Sequence, residues 1–177
     1  MKLLTCATIG TRPRGSCGKA FTMVEAVMSL VIVAVMLVAA LTTVGAAKLG
    51  QYKTSQRSRG QLLAEALMAE ILQQNYKEPT DTPIFGRESG ESSTSRVDYD
   101  DVDDYNGWSS SPPLYKDGTQ MSEFTGWQRT VTVEWVNPTN PAEVKLQETN
   151  AKRITVTVLC QNMQVARLVA IRTASGY

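Results

Sequence analysis

From residue 21 to residue 47 the chain is a mostly apolar run whose only charged side chain, Glu25, stands near its start. At about 1.5 Å per residue, a helix of this length covers the hydrocarbon core of a bilayer, about 30 Å thick. Residues 21–47 are therefore expected to form a membrane-spanning helix, and the remaining segments must be fitted around it. An uncompensated carboxylate inside lipid costs about 2.5 kcal/mol or more, so intramembrane acids usually mark functional positions. Glu25 is the first candidate of this kind. The bland alternative leaves it solvated at headgroup level.

With 177 residues and a net charge of +1, the chain has room for this span and one modest soluble domain. No basic patch suggests nucleic acid. Histidine is absent, which removes the commonest general base and the commonest metal ligand. Neither a nucleophile motif nor a phosphate-binding glycine loop is found, so no enzyme is expected. Cys6, Cys17 and Cys160 are too widely spaced for a zinc knuckle or a redox pair.

Residues 1–20 are basic, with Lys2, Arg12, Arg14 and Lys19 and no acid. A secretory signal would place a shorter apolar core before a small-residue cleavage site, which is not the order here. A lipoprotein site at Cys17 would need a preceding apolar region, and Thr11-Arg12-Pro13-Arg14 is none.

At the junction the chain reads Gly18-Lys19-Ala20-Phe21-Thr22-Met23-Val24-Glu25 and then enters the apolar run. This resembles the class III signal of type IV prepilins and type II secretion pseudoprepilins, where a basic leader ends just before Phe-Thr-x-x-Glu. The resemblance implies cleavage by prepilin peptidase between Ala20 and Phe21, methylation of the new amino terminus at Phe21, and an assembly role for Glu25. In that family the glutamate is thought to pair with the free amino terminus of a neighbouring subunit. The family usually has glycine before the cut. Cutting after Gly18 instead would make Glu25 seventh rather than fifth, which favours Ala20.

Charge alone does not orient the span, because Lys48, Lys53, Arg57 and Arg59 follow it before the first acid, Glu65. The resemblance implies an inner-membrane, single-pass protein with a cytoplasmic amino terminus and a periplasmic carboxyl-terminal domain. It would later be extracted into a filament or pseudopilus. The implied partners are the peptidase, other pilin or pseudopilin subunits, the inner-membrane assembly platform and the lipid bilayer.

No proline interrupts residues 21–78, and residues 61–74 are rich in helix formers, so one helix is expected over 21–76. Gly45, Gly50 and Gly60 each weaken it by about 1 kcal/mol relative to alanine and are candidate bending points. Leu63, Leu67 and Ile71 form one apolar stripe, while Leu62, Ala69, Leu72 and Tyr76 form a second. Two stripes suggest two partners, the chain's own sheet and neighbouring helices.

Residues 77–124 read as an irregular acidic loop, densest in charge at Asp98-Tyr99-Asp100-Asp101-Val102-Asp103-Asp104. Calcium is the cation such carboxylates would take, with Asp101, Asp103 and Asp104 as candidate ligands, and some pseudopilins bind calcium. The spacing matches no EF-hand loop, and a solvated loop pinned by Tyr99, Tyr105 and Trp108 is the preferred expectation. Residues 100–105 also resemble a stretch in minor pilins of the mannose-sensitive haemagglutinin type, which implies a minor subunit.

Residues 125–177 change period. Alternation over 127–135 and 153–160, and a third run over 165–171, predicts antiparallel strands. Val131, Val133 and Trp135 should share an inner face with Ile154, Val156 and Val158, leaving Thr130, Thr132, Thr155 and Thr157 on the other. Gln161-Asn162 fits a tight turn, and Asn137-Pro138-Thr139-Asn140-Pro141 begins a longer connection. Trp127 and Trp135 are expected in the core or on the sheet face. After the implied cut only Cys160 remains, so no internal disulfide can form. The expected class is α+β and pilin-like: one long amino-terminal helix packed on a small antiparallel sheet. The expected function is a structural subunit of a type IV pilus-like filament or secretion pseudopilus. The alternative is a single-pass anchored binding module that does not polymerise.

Overall fold

The computed structural model describes residues 21–78 and 84–174. Ala20, Cys6, Cys17 and the rest of the basic leader lie outside the described residues. Helix α1 spans Met23–Leu72 without interruption. The chain divides after Ala47 into two compact units. In the first, the helical residues are exposed throughout, and the helix is long and apolar enough to cross a membrane. Thr42 and Thr43 each return their hydroxyl to the Ala39 carbonyl at 2.8 Å, so these polar groups need no water.

The second unit packs the end of α1 against an antiparallel sheet. Its strands are β1 (Ser109–Ser110), β2 (Trp127–Asn137), β3 (Asn140–Val144), β4 (Ala151–Cys160) and β5 (Met163–Thr173). The order is β1-β2-β4-β5, with β3 paired to the end of β2. Val131 lies opposite Val156 and Val133 opposite Ile154, and all four are buried, so the expected inner face forms. Trp127 joins the core, and Trp135 is half-buried against Phe85 with ring centroids 4.4 Å apart. Gln161 and Asn162 take φ values of 49° and 63°, as a two-residue turn between right-twisted strands requires. Cys160 is a buried free thiol.

Several expectations change. The helix stops at Leu72 rather than Tyr76, because Asn75 turns its backbone to the acidic segment. Its N–H donates to Asp100 O at 3.1 Å and its carbonyl accepts from Val102 N at 3.1 Å. Of the second stripe, expected to serve another partner than the first, Tyr76 is instead buried in its own unit and Leu72 half-buried, while Leu62 and Ala69 are exposed. The connection after β2 is a hairpin into β3, with Pro141 tolerated on an outer strand.

Gly60 is a contact point between the helix and the sheet. A Cβ there would stand 2.6 Å from Val165 Cγ2 and 3.5 Å from Ala166 Cβ, so its bareness lets α1 approach β5. Gly50 has nothing within 4 Å. Gly50→Ala is thus expected to stabilise the helix by about 0.5–1 kcal/mol. Gly60→Leu, by contrast, should overpack the interface and cost about 1–3 kcal/mol. Urea unfolding of both variants tests the contrast, and equal effects would mean that Gly60 is not a packing position.

Candidate functional site

The first site lies where α1 begins. Thr22 Oγ1 accepts from Glu25 N at 3.3 Å, and Thr22 O accepts from Ala26 N at 3.1 Å. Thr22 therefore caps the helix, and Thr22-Met23-Val24-Glu25 has the spacing of a capping box. Glu25 occupies the first turn, where the positive end of the helix dipole favours a carboxylate. Phe21 beside it is 78% exposed. The capping role of Thr22 was readable in the sequence, since Thr-x-x-Glu before an apolar run is its signal.

The second site is the acidic segment, and it is not a solvated loop. Asp101, Asp103 and Asp104 are buried, as are Tyr99, Val102, Tyr105 and Trp108, which join the core between α1 and the sheet. The physical reason lies on the sheet. Lys152 lies opposite Trp135, and Arg129 opposite Val158, so both cations fall on the inner face and are almost fully buried. They need compensation, and the segment between α1 and β2 supplies it.

Lys152 Nζ forms an ion pair with Asp103 Oδ1 and donates to Tyr76 O at 2.5 Å. Arg96, also buried, makes a two-pronged bond to Glu70 of α1, at 2.8 Å from Nε and 3.1 Å from Nη2. Tyr105 donates its hydroxyl to the same Glu70 at 3.1 Å. The Arg96 guanidinium lies 4.2 Å from the Trp108 ring centroid. Arg129 donates to the Leu114 carbonyl, and burial together with the Arg96 charge lowers its pKa to about 10. Backbone bonds fix the layer to β2: Val131 N donates to Trp108 O at 2.9 Å, and Val133 N to Asn106 Oδ1 at 3.0 Å.

The aspartates expected as metal ligands have separate duties. Asp103 is committed to Lys152 and also accepts from Gly86 N at 3.2 Å. Asp101 Oδ1 accepts from Asp103 N at 2.6 Å and Asp104 N at 3.3 Å, which shapes the 3₁₀ turn Asp103–Tyr105. Burial, its bond to Asp103 and the surrounding acids push the Asp101 carboxyl up to about 8. Asp104 Oδ2 accepts from Asp100 N and Asp101 N, both at 3.0 Å.

Among the described residues, Asp104 alone of the three belongs to a convergent group, with Glu88 and Glu91. One carboxylate oxygen from each lies within 4.8 Å of the others. Burial and the charges of Asp104, Glu78 and Glu91 push Glu88 up to about 7. Sequence reasoning missed Glu88 and Glu91. They lie in a serine- and glycine-rich stretch without period, and nothing in the chain announces that it folds back onto Asp104.

Comparison with protein-family models, curated proteins and solved structures found no match to this chain.

Proposed function

We propose that this chain is a non-enzymatic structural subunit of a type IV pilus-like filament or a type II secretion pseudopilus. In this reading it is held in the inner membrane by residues 21–47 before assembly. Its carboxyl-terminal domain faces the periplasm. Prepilin peptidase removes residues 1–20 and methylates the amino group of Phe21, and the assembly platform then draws the subunit into a polymer by helix packing.

The observation that carries this reading is a single helix with two kinds of surroundings. Its first part is apolar, exposed on all sides and headed by a carboxylate. Its last part is seated on a sheet by Leu63, Leu67 and Ile71. A helix exposed throughout needs lipid or other helices to cover it. Glu25 in the first turn is the charge that a neighbour's amino terminus could neutralise.

The test is the intact mass and amino-terminal sequence of the protein taken from its native membrane fraction. The expected product begins at Phe21 and carries one additional methyl group. A chain that keeps residues 1–20 would overturn the processing step and favour an anchored module that does not polymerise. For a processed chain, recovery in sheared surface filaments assigns it to a pilus. Retention in the envelope assigns it to a pseudopilus.

A further inference from the structure

We propose that a cleft between α1 and the start of β5 holds the phosphate of an anionic phospholipid headgroup. The proposal rests on the reading of residues 21–47 as membrane-spanning. The cleft encloses about 260 Å³ and is lined by Lys53, Gln56 and Arg57 of α1 and by Gln161 and Gln164 of the β4–β5 hairpin. All five side chains carry N–H donors, and none of the residues lining the cleft is acidic.

The charge of this cleft is not answered within the fold. Lys53 and Arg57 stand four residues apart on one helix, a spacing at which like charges repel. Neither has an ion pair or hydrogen bond among the described residues, whereas Arg59 nearby lies over the Phe124 ring. Both walls belong to stretches without acids, since none occurs between Glu25 and Glu65 or over residues 149–177. A phosphate suits these donors. Guanidinium binds its oxygens in pairs, and ammonium adds a point charge.

Position and lining select a lipid phosphate over a free one. Lys53 follows Ala47 by six residues and Arg57 by ten, about 9 and 15 Å of helix at 1.5 Å per residue. A headgroup layer is about 5–8 Å deep. Helical side chains lean towards the amino-terminal end, so both cations reach back towards the end of the span. Tyr52 and Met163 also line the cleft and are 59% and 66% exposed. The first is an aromatic of the kind that settles at membrane interfaces, and the second is an apolar side chain at the hairpin tip. A free phosphate offers them no contact, whereas a lipid brings glycerol and acyl carbons. Occupancy would tether the β4–β5 hairpin to the bilayer surface before assembly, and drawing the subunit into a polymer would require the headgroup to be given up.

The test uses the full-length chain purified from its native membrane into uncharged detergent micelles. Native mass spectrometry counts the lipid retained when phosphatidylglycerol or phosphatidylcholine of the same acyl length is added. The parent should retain phosphatidylglycerol in preference to phosphatidylcholine. Lys53→Gln with Arg57→Gln should weaken that binding by about tenfold or more, since each basic residue near a lipid surface contributes several-fold. Both positions are exposed and without partners among the described residues, so without lipid this variant should unfold at the parent's temperature. Lys48→Gln with Arg167→Gln removes the same charge outside the cleft and should bind as the parent does. An equal loss in both pairs would reduce the effect to diffuse attraction and overturn the site, as would no preference for phosphatidylglycerol in the parent. Displacement of the lipid by inorganic phosphate overturns the lipid as occupant. Alkaline extraction of the native membrane separates this proposal from the reading beneath it. A chain that stays in the membrane but retains no lipid overturns the cleft alone, whereas a chain released by alkali overturns the span and, with it, the bilayer as source.

Discussion

Glu25→Gln is expected to abolish incorporation into filaments while leaving the protein folded, membrane-bound and cleaved before Phe21. Glutamine is the informative replacement because it also serves at this position of a capping box, so the start of α1 under Thr22 is preserved. What disappears is the charge. Under the proposed assembly, that charge is drawn to a neighbour's amino terminus in a medium where a lone carboxylate costs about 2.5 kcal/mol or more. Losing an attraction of that size at every subunit contact should empty the sheared-filament fraction and leave processed protein in the membrane. Filaments of normal yield from Glu25→Gln would reduce Glu25 to a helix-capping residue, and the anchored, non-polymerising module would become the better reading.

Lys152→Met is expected to be the most damaging single change in the folded unit. Lys152 and Asp103 are both almost fully buried, and the lysine also donates to Tyr76 O. Removing the lysine leaves the Asp103 carboxylate uncompensated, which typically costs 3–5 kcal/mol. In a unit of this size the thermal midpoint should fall by about 10 °C or more. The pair Lys152→Met with Asp103→Asn should recover the greater part of that loss. Asparagine can still accept from Gly86 N, and position 103 then carries no charge that needs Lys152. A double variant as unstable as the single one would show that Lys152 acts through its bond to Tyr76 or through packing, and not through the ion pair.

What was legible in the sequence was whatever obeys a period. The apolar run announced the exposed part of α1. Leu63, Leu67 and Ile71 announced its packed face, and alternation announced β2 and β4 with Val131, Val133, Ile154 and Val156 inward. The same alternation places Arg129 on the face of Val131, and Lys152 on the face of Ile154. Both were therefore readable as buried cations in need of partners. Their partners were not readable, because the segment from Tyr76 to Trp108 has no period and its pairings are distant in sequence. Lys152 meets Asp103, Arg96 meets Glu70, and Asp104 meets Glu88 and Glu91. Density of charge suggested solvent. Burial followed because the opposite charges were waiting on the sheet and on α1.

The order of synthesis follows from which residues cover the apolar stripe of α1. Leu63, Leu67 and Ile71 leave the ribosome before any of their cover is made. Tyr99, Val102 and Tyr105 come next, the strand residues Ile154, Val156 and Val158 much later, and Ala166 last. At about 5–20 residues per second, the stripe waits several seconds for its final neighbours. Shortening the intervening segment would not remove the wait, because that segment itself supplies Tyr99, Val102 and Tyr105 to the core. A nascent chain of this kind therefore spends an interval with the apolar seat of its helix uncovered by the residues that later enclose it.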